Sequence, residues 1–212
     1  MNESNATRPV RPGEELPDAK LREFLHTSGL LADQESPLTV QQFKNGYSNL
    51  TYLIGFEDRD YVLRRPPFAA PKRGHDMGRE YQVLDKLHKV FHKTPEVFVF
   101  CDDPGIIGAP FYIMEKVDGI ILSPGELARR KPSRPEFRTI AGTWLDTFAA
   151  LHEVDYSGAG LAELGRPDGY VERQVNTWGK QYLAAATEKV ASAEKVMAEA
   201  EAAREQMRAA RY

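Results

Sequence analysis

The sequence predicts an α+β fold, and three observations carry that prediction. Period-two apolar patterns cluster between Leu38 and Val117, with one stretch of helical spacing among them. After Gly119 strand character gives way to helical patterns that run to the end of the chain. Composition supplies the third: 42% hydrophobic and 28% charged residues in 212 belong to a globular chain, not to a disordered or collagen-like one. Strands followed by helices, without strict alternation, is the α+β order.

The first dozen residues read as a frayed arm. "LPDAKLREFLHTSGL" predicts a short helix with Leu21, Phe24 and Leu25 on one side and Gly29 as its stop. Residues 1–36 form this arm and helix. "LTVQQFK", "LTYLIGF" and "YVLRR" read as three strands, with the tetrad "EDRD" as the hairpin turn between the last two. Pro66, Pro67 and Pro71 stop the third strand from continuing as sheet or helix. "GREYQVLDKLHKVF" has Tyr81, Leu84, Leu87 and Phe91 at spacings of three and four, a helical face. Two more strands, "EVFVFC" and "APFYIMEKV", flank the turn-rich "DDPGIIG". Residues 37–117 are therefore a five-stranded antiparallel sheet plus one helix.

Residues 118–182 change character. Ser133 stands three residues before Glu136 with Pro135 in the first turn, a capping box that starts a helix. Phe137, Ile140, Trp144, Leu145, Phe148 and Leu151 give that helix a wide apolar face, which predicts a core helix. "GRPDGYVERQVNTWGKQY" is a loop entering another helix. Residues 183–212 form an Ala/Glu/Lys-rich helical tail with a thin apolar series, Leu183, Val190 and Met197, broken at Arg204.

Charge and composition narrow the function. A net charge of -3 gives no long-range attraction to nucleic acid or anionic lipid, so any anion site must be local. The single cysteine, Cys101, excludes an intrachain disulfide and a cysteine zinc cluster, and fits a reducing compartment. No apolar run is long enough to span a bilayer. Arg8 and Arg11 hint at an organellar presequence, whereas Glu3, Glu14 and Glu15 oppose one; the expectation is cytoplasm first, with mitochondrion or peroxisome left open.

Three local features can carry chemistry. The loop Asn45–Asn49 can reverse the chain while leaving backbone N–H groups and the Ser48 hydroxyl to face a phosphate, although most such turns are only turns. Strand alternation puts Val62 and Arg64 on one face and Leu63 and Arg65 on the other. Arg64 can thus reach a phosphate beside the loop, with Glu80 on the next helix as a partner; the plainer reading is a surface ion pair worth under about 1 kcal/mol. Finally, "FYIMEKVDG" ends a strand at an exposed edge whose backbone groups could meet a flat heteroaromatic base, or could be a strand end and no more.

In that order, "GYSNLTYLI", "YVLRRPP", "GREYQVL", "IIGAPFYIMEKVDG", "LHEVD" and "GYVERQVNTW" resemble the aminoglycoside phosphotransferase family, a protein-kinase-like fold. The likeness is nearest to the kinase-like module found beside acyl-CoA dehydrogenase domains, and covers roughly Val10 to Gln181. It implies a kinase-like small lobe followed by the first helices of an incomplete large lobe. It further implies that Gly46, Ser48 and Asn49 position a nucleotide, that Arg64 replaces the usual phosphate-contacting lysine with Glu80 as its partner, and that Glu115 C=O and Val117 N–H hold the adenine edge with Met114 behind. A guanidinium there stays charged and can engage two oxygens at once.

The same resemblance expects a His-Gly-Asp catalytic loop with an asparagine five residues on, then a metal-binding aspartate. These 212 residues contain none of them: Gly74-His75-Asp76 has the letters in the wrong order, and His152 and Asp155 lack the downstream asparagine. No catalytic and no metal residue is therefore assigned, and the tail after Gln181 is expected to diverge from the family. The expected cofactor is ATP, with Mg²⁺ only in a full-length relative. Two readings follow: the nucleotide-binding half of a small-molecule kinase acting on a hydroxyl-bearing substrate, or a non-catalytic nucleotide-binding or interaction module that self-associates through exposed helix faces. Neither involves nucleic acid or membrane.

Overall fold

The computed structural model describes residues 7–44, 49–68, 75–166, 168–185 and 190–209. They divide into two compact units, residues 1–161 and 162–212. The first unit is built on a six-stranded antiparallel sheet: β1 (Thr7–Arg8), β2 (Thr39–Phe43), β3 (Leu50–Phe56), β4 (Arg59–Arg65), β5 (Val97–Cys101) and β6 (Phe111–Glu115). Their spatial order is β1-β2-β3-β4-β6-β5. The sixth strand corrects the five-stranded expectation. Thr7 and Arg8 pair with Phe43 and Gln42 at the sheet edge, a contact too short to leave any periodicity in the arm.

One face of the sheet is the core. Leu50, Tyr52, Ile54 and Phe56 alternate inward along β3, and Tyr61, Leu63, Phe111 and Ile113 join them from β4 and β6. Helix α1 (Asp18–Thr27) lays Leu21 and Leu25 on this face, both fully buried. Each contributes on the order of 1.5–3 kcal/mol by leaving water. Its chain exits through Gly29 at φ 77°, a left-handed turn that only glycine adopts without strain. The β3–β4 hairpin turns through Glu57 and Asp58, both with positive φ, the primed geometry that matches strand twist. Glu57 is held there because its carboxylate accepts from the backbone N–H groups of Ala32 and Asp33, at 2.7 and 3.3 Å.

Helix α2 (Met77–His88) packs on the opposite face, against β5 and β6. Its N-terminus is fixed by Asp76, whose Oδ1 accepts from Arg79 N–H at 2.9 Å. Between β5 and β6 the expected turn contains a single helical turn, α3 (Pro104–Ile107), capped by Asp103 and closed by Gly108 at φ 83°. Helix α4 (Pro124–Arg130) follows, announced by Ser123 and Glu126 but too short to stand out as a period.

The capping box forms at the head of α5 (Arg134–His152): the Ser133 N–H and hydroxyl both donate to Glu136, at 2.8 and 2.7 Å. The core assignment of α5 is corrected, however. Its apolar stripe lies open, with Phe137, Trp144, Leu145, Phe148 and Leu151 all exposed, Trp144 to 61%. Periodicity identifies an apolar face; it does not supply the surface that covers it. The second unit is a 3₁₀ turn (Ala162–Leu164) and two helices, α6 (Tyr170–Ala185) and α7 (Ala191–Ala209). The Leu183–Val190–Met197 series does not make one stripe: Leu183 lies in the last turn of α6, Val190 precedes α7, and both are exposed. Arg204 turns towards α6 and donates to Asn176 Oδ1 at 2.7 Å.

Candidate functional site

The face of the sheet away from α1 carries two side-chain rows set by register. Thr51, Arg64 and Tyr112 are cross-strand neighbours on β3, β4 and β6; Leu53, Val62 and Met114 form the adjacent row. The first row is polar and the second apolar, so a charged group and a flat hydrophobic strip lie side by side. Helix α2 covers the Tyr112 end, where Tyr81 stacks on Phe100 with ring centroids 5.6 Å apart.

Arg64 and Glu80 meet on this face. Arg64 Nε lies 3.0 Å from Glu80 Oε2, and each side chain is 34% exposed. The N–H of that nitrogen has no acceptor in line, so the contact is Coulombic attraction at close range more than a directed hydrogen bond. The recorded approach to Glu80 is through Nε and not through a terminal guanidinium nitrogen. Glu80 itself is crowded with donors: Tyr112 Oη donates to its Oε2 and Asn49 Nδ2 to its Oε1, each at 3.1 Å. Burial pushes the Tyr112 hydroxyl far up, and the Glu80 charge adds to that, so it remains a donor.

Asn49 leads into β3, and it is only 6% exposed. Its Oδ1 lies 2.7 Å from His75 Nδ1. His75 was no candidate at the sequence level, because the Asn49–His75 contact joins positions with no pattern between them. Gly46 and Ser48 lie outside the described residues. At the far end of β6, Glu115 closes the strand opposite Tyr61, and its N–H donates to Glu96 O at 2.8 Å. Met114 is half-buried in the apolar row, and Val117, 60% exposed, lies beyond the last paired residue.

Arg65 faces the other way and was not singled out. It is 1% exposed and points into the core, where Nη1 donates to Ile107 O at 2.8 Å and Nε to Pro66 O at 3.1 Å. Its guanidinium sits 3.7 Å from the Phe68 ring centre. Burial pulls its pKa down from the usual guanidinium value, against the raising influence of Tyr52 and Glu14. Adjacent arginines are thus placed differently: Arg64 pairs with Glu80 on the part-exposed face, and Arg65 is held inside the fold. Among the described residues, no group of three or more His, Cys, Asp or Glu is placed to hold a metal ion. His152 donates from Nδ1 to Phe148 O at 2.8 Å, an intrahelical contact that occupies it locally.

A family model described as "Phosphotransferase enzyme family" matches residues 39–211. The match continues through α7, which corrects the expectation that the likeness lapses after Gln181. Acyl-CoA dehydrogenase family member 10 of Mus musculus is 36% identical over 193 residues, 90% of this chain and 18% of its own length. Member 11 of Rattus norvegicus is 33% identical over the same share of this chain, covering 24% of its length. A probable acyl-CoA dehydrogenase of Arabidopsis thaliana is 38% identical over 72% of this chain and 19% of its own. The crystal structure of a putative aminoglycoside phosphotransferase from Ralstonia eutropha superposes with a TM-score of 0.66 at 32% identity, over 86% of this chain and 52% of that one. The chain therefore spans about a fifth of the curated relatives it matches, and about half of the solved structure.

Proposed function

The chain belongs to the phosphotransferase enzyme family and has its protein-kinase-like fold, and from that premise we propose that it is the nucleotide-binding part of an ATP-dependent kinase acting on a small hydroxyl-bearing molecule. The observation that carries the proposal is the Arg64–Glu80 pair, held by Tyr112 and Asn49 beside the Leu53–Val62–Met114 strip. A part-exposed guanidinium next to an apolar strip suits a phosphate chain joined to a flat base. ATP would supply the transferable phosphoryl group. Arg64 would bind phosphate oxygens through its terminal nitrogens while Glu80 fixes its direction. Gly46, Ser48 and Asn49 would border the phosphates; Met114 would lie against the base, with Glu115 C=O and Val117 N–H at its edge.

The sequence has no His-Gly-Asp loop, and the described residues offer no carboxylate cluster for Mg²⁺, so no transfer step is assigned to these residues. The 212-residue chain is expected to bind ATP without consuming it. Calorimetric titration with ATP tests this. Arg64→Ala should abolish the binding heat while the circular dichroism spectrum stays that of the parent chain; unchanged affinity in that variant refutes the site. Magnesium-dependent phosphate transfer by the chain alone would refute that expectation.

A second reading, an interaction module, is favoured by the open Phe137–Leu151 stripe of α5. It predicts concentration-dependent association in sedimentation, relieved by Trp144→Glu. A monomer that binds no hydrophobic dye would end that reading.

A further inference from the structure

We propose that Asn49 is a positioning residue, whose side-chain amide ties the start of α2 to Glu80 and so fixes the direction of Arg64, with His75 held as its Nδ1–H tautomer. The proposal rests on the reading of Arg64 as the phosphate-binding group, and it deepens that reading by giving the loop asparagine an indirect role.

The assignment follows from donor and acceptor capacity. An ionised carboxylate only accepts, so the Asn49 group facing Glu80 Oε1 at 3.1 Å must be Nδ2. That places Oδ1 towards His75, 2.7 Å from Nδ1. A carbonyl oxygen cannot donate, so His75 Nδ1 carries the proton. His75 immediately precedes Asp76, the residue that caps α2, and Glu80 lies one turn further along the same helix. One buried amide, on the residue that leads into β3, therefore holds α2 at Glu80 and the chain just before its cap at His75.

The consequence for Glu80 is a single position. Swinging its carboxylate away would leave two buried donors, the Asn49 amide and the Tyr112 hydroxyl, 6% and 2% exposed by residue, without their acceptor. With Oε1 accepting from Asn49 and Oε2 from Tyr112, the carboxylate is held in the orientation in which Arg64 Nε meets Oε2. Loss of Asn49 frees Glu80 to rotate and to compete for the terminal nitrogens that the phosphate reading requires.

Two readouts on the full chain test this, and they fail separately. The first is nitrogen NMR of His75 at about pH 8, above the usual imidazole range, with the signal assigned by His75→Gln. The proton is expected on Nδ1 in the parent chain, shifting towards Nε2 in Asn49→Ala. A parent chain protonated at Nε2 overturns the proposal, whatever ATP does. The second is ATP affinity in a double-mutant cycle. Asn49→Ala should weaken binding about tenfold in the parent background, within the range of ordinary coupling between sites. In a Glu80→Gln background the loss should fall below about twofold, because the group being positioned has changed. Equal losses in both backgrounds would make Asn49 a direct nucleotide contact and overturn the proposal. If the Ala variant unfolds, Asn49→Leu keeps the volume and removes both the donor and the acceptor, and the same two outcomes apply. If the parent chain binds no ATP, the Arg64 reading fails, and the histidine signal alone upholds or overturns the tie.

Discussion

Arg65→Ala should cost several times more stability than Arg64→Ala, although the two residues are chain neighbours with the same side chain. The structure supplies the magnitudes. Arg65 is 1% exposed and caps the last carbonyl of α3, donating to Ile107 O at 2.8 Å and to Pro66 O at 3.1 Å. A hydrogen bond from a charged donor is worth about 1.5–3 kcal/mol, and the orphaned buried carbonyl adds about 1–3. The Phe68 contact adds about 0.5–1 kcal/mol, since that ring is half exposed. Relief from keeping a desolvated cation offsets part of the sum, leaving a net loss of about 3–4 kcal/mol. Arg64, 34% exposed in its pair with Glu80, should lose no more than about 1 kcal/mol. Arg65→Met restores the aliphatic stem but not the donor, so about 2 kcal/mol of loss should remain. Urea unfolding followed by circular dichroism measures all three, with an unchanged slope as the check that the unfolded state is unaltered. A loss below about 1 kcal/mol in Arg65→Ala, or one matched by Arg64→Ala, refutes the division of labour between the two faces.

Two further perturbations follow from local geometry. Glu126 accepts from both Arg129 and Arg130, and these two partners pull its pKa down to about 2 from the ordinary 4.5. A depressed carboxylate contributes stability above its unfolded value and loses it as pH falls through the folded one, so the contribution should vanish between about pH 4.5 and 2. Glu126→Gln should remove that acid dependence from the unfolding midpoint; an identical acid limb in the variant counts against the ion cluster. In β3, a Cβ at Gly55 would stand 2.6 Å from Thr39 Oγ1 and 3.2 Å from Asp60 Oδ1. Gly55→Ala should therefore cost about 1–3 kcal/mol through crowding, measured by thermal unfolding, and Thr39→Ala should recover most of it. No recovery would mean that the strand, not the threonine, resists the change.

The order of elements was legible because it is written in local patterns. The Ser133–Glu136 capping box, the Pro66-Pro67 stop after β4 and the Gly29 exit from α1 each act within a few residues, and the structure has all of them. What was not legible depends on contacts between distant segments. The two-residue β1 exists only because β2 offers it an edge. The α5 stripe announces an apolar surface with the same spacing whether or not anything lies over it, and in this chain it lies open.

The site shows the same division most sharply at two adjacent positions. Alternation along β4 states that Arg64 and Arg65 face apart, and β4 keeps that promise. It cannot state which face is the core, because that choice is made by α1, thirty-odd residues upstream, when Leu21 and Leu25 settle on the Leu63 side. Once that face is filled, Arg65 must either find acceptors inside or unfold the strand, and the buried carbonyl at the end of α3 meets the need. Arg64 is then left on the open face with one carboxylate, Glu80, which α2 brings within 3.0 Å. The fold subordinates one arginine so that the strand can end in two. A chain in which α1 no longer docked would be expected to lose the distinction between them, and with it the direction of the guanidinium that the phosphate reading needs.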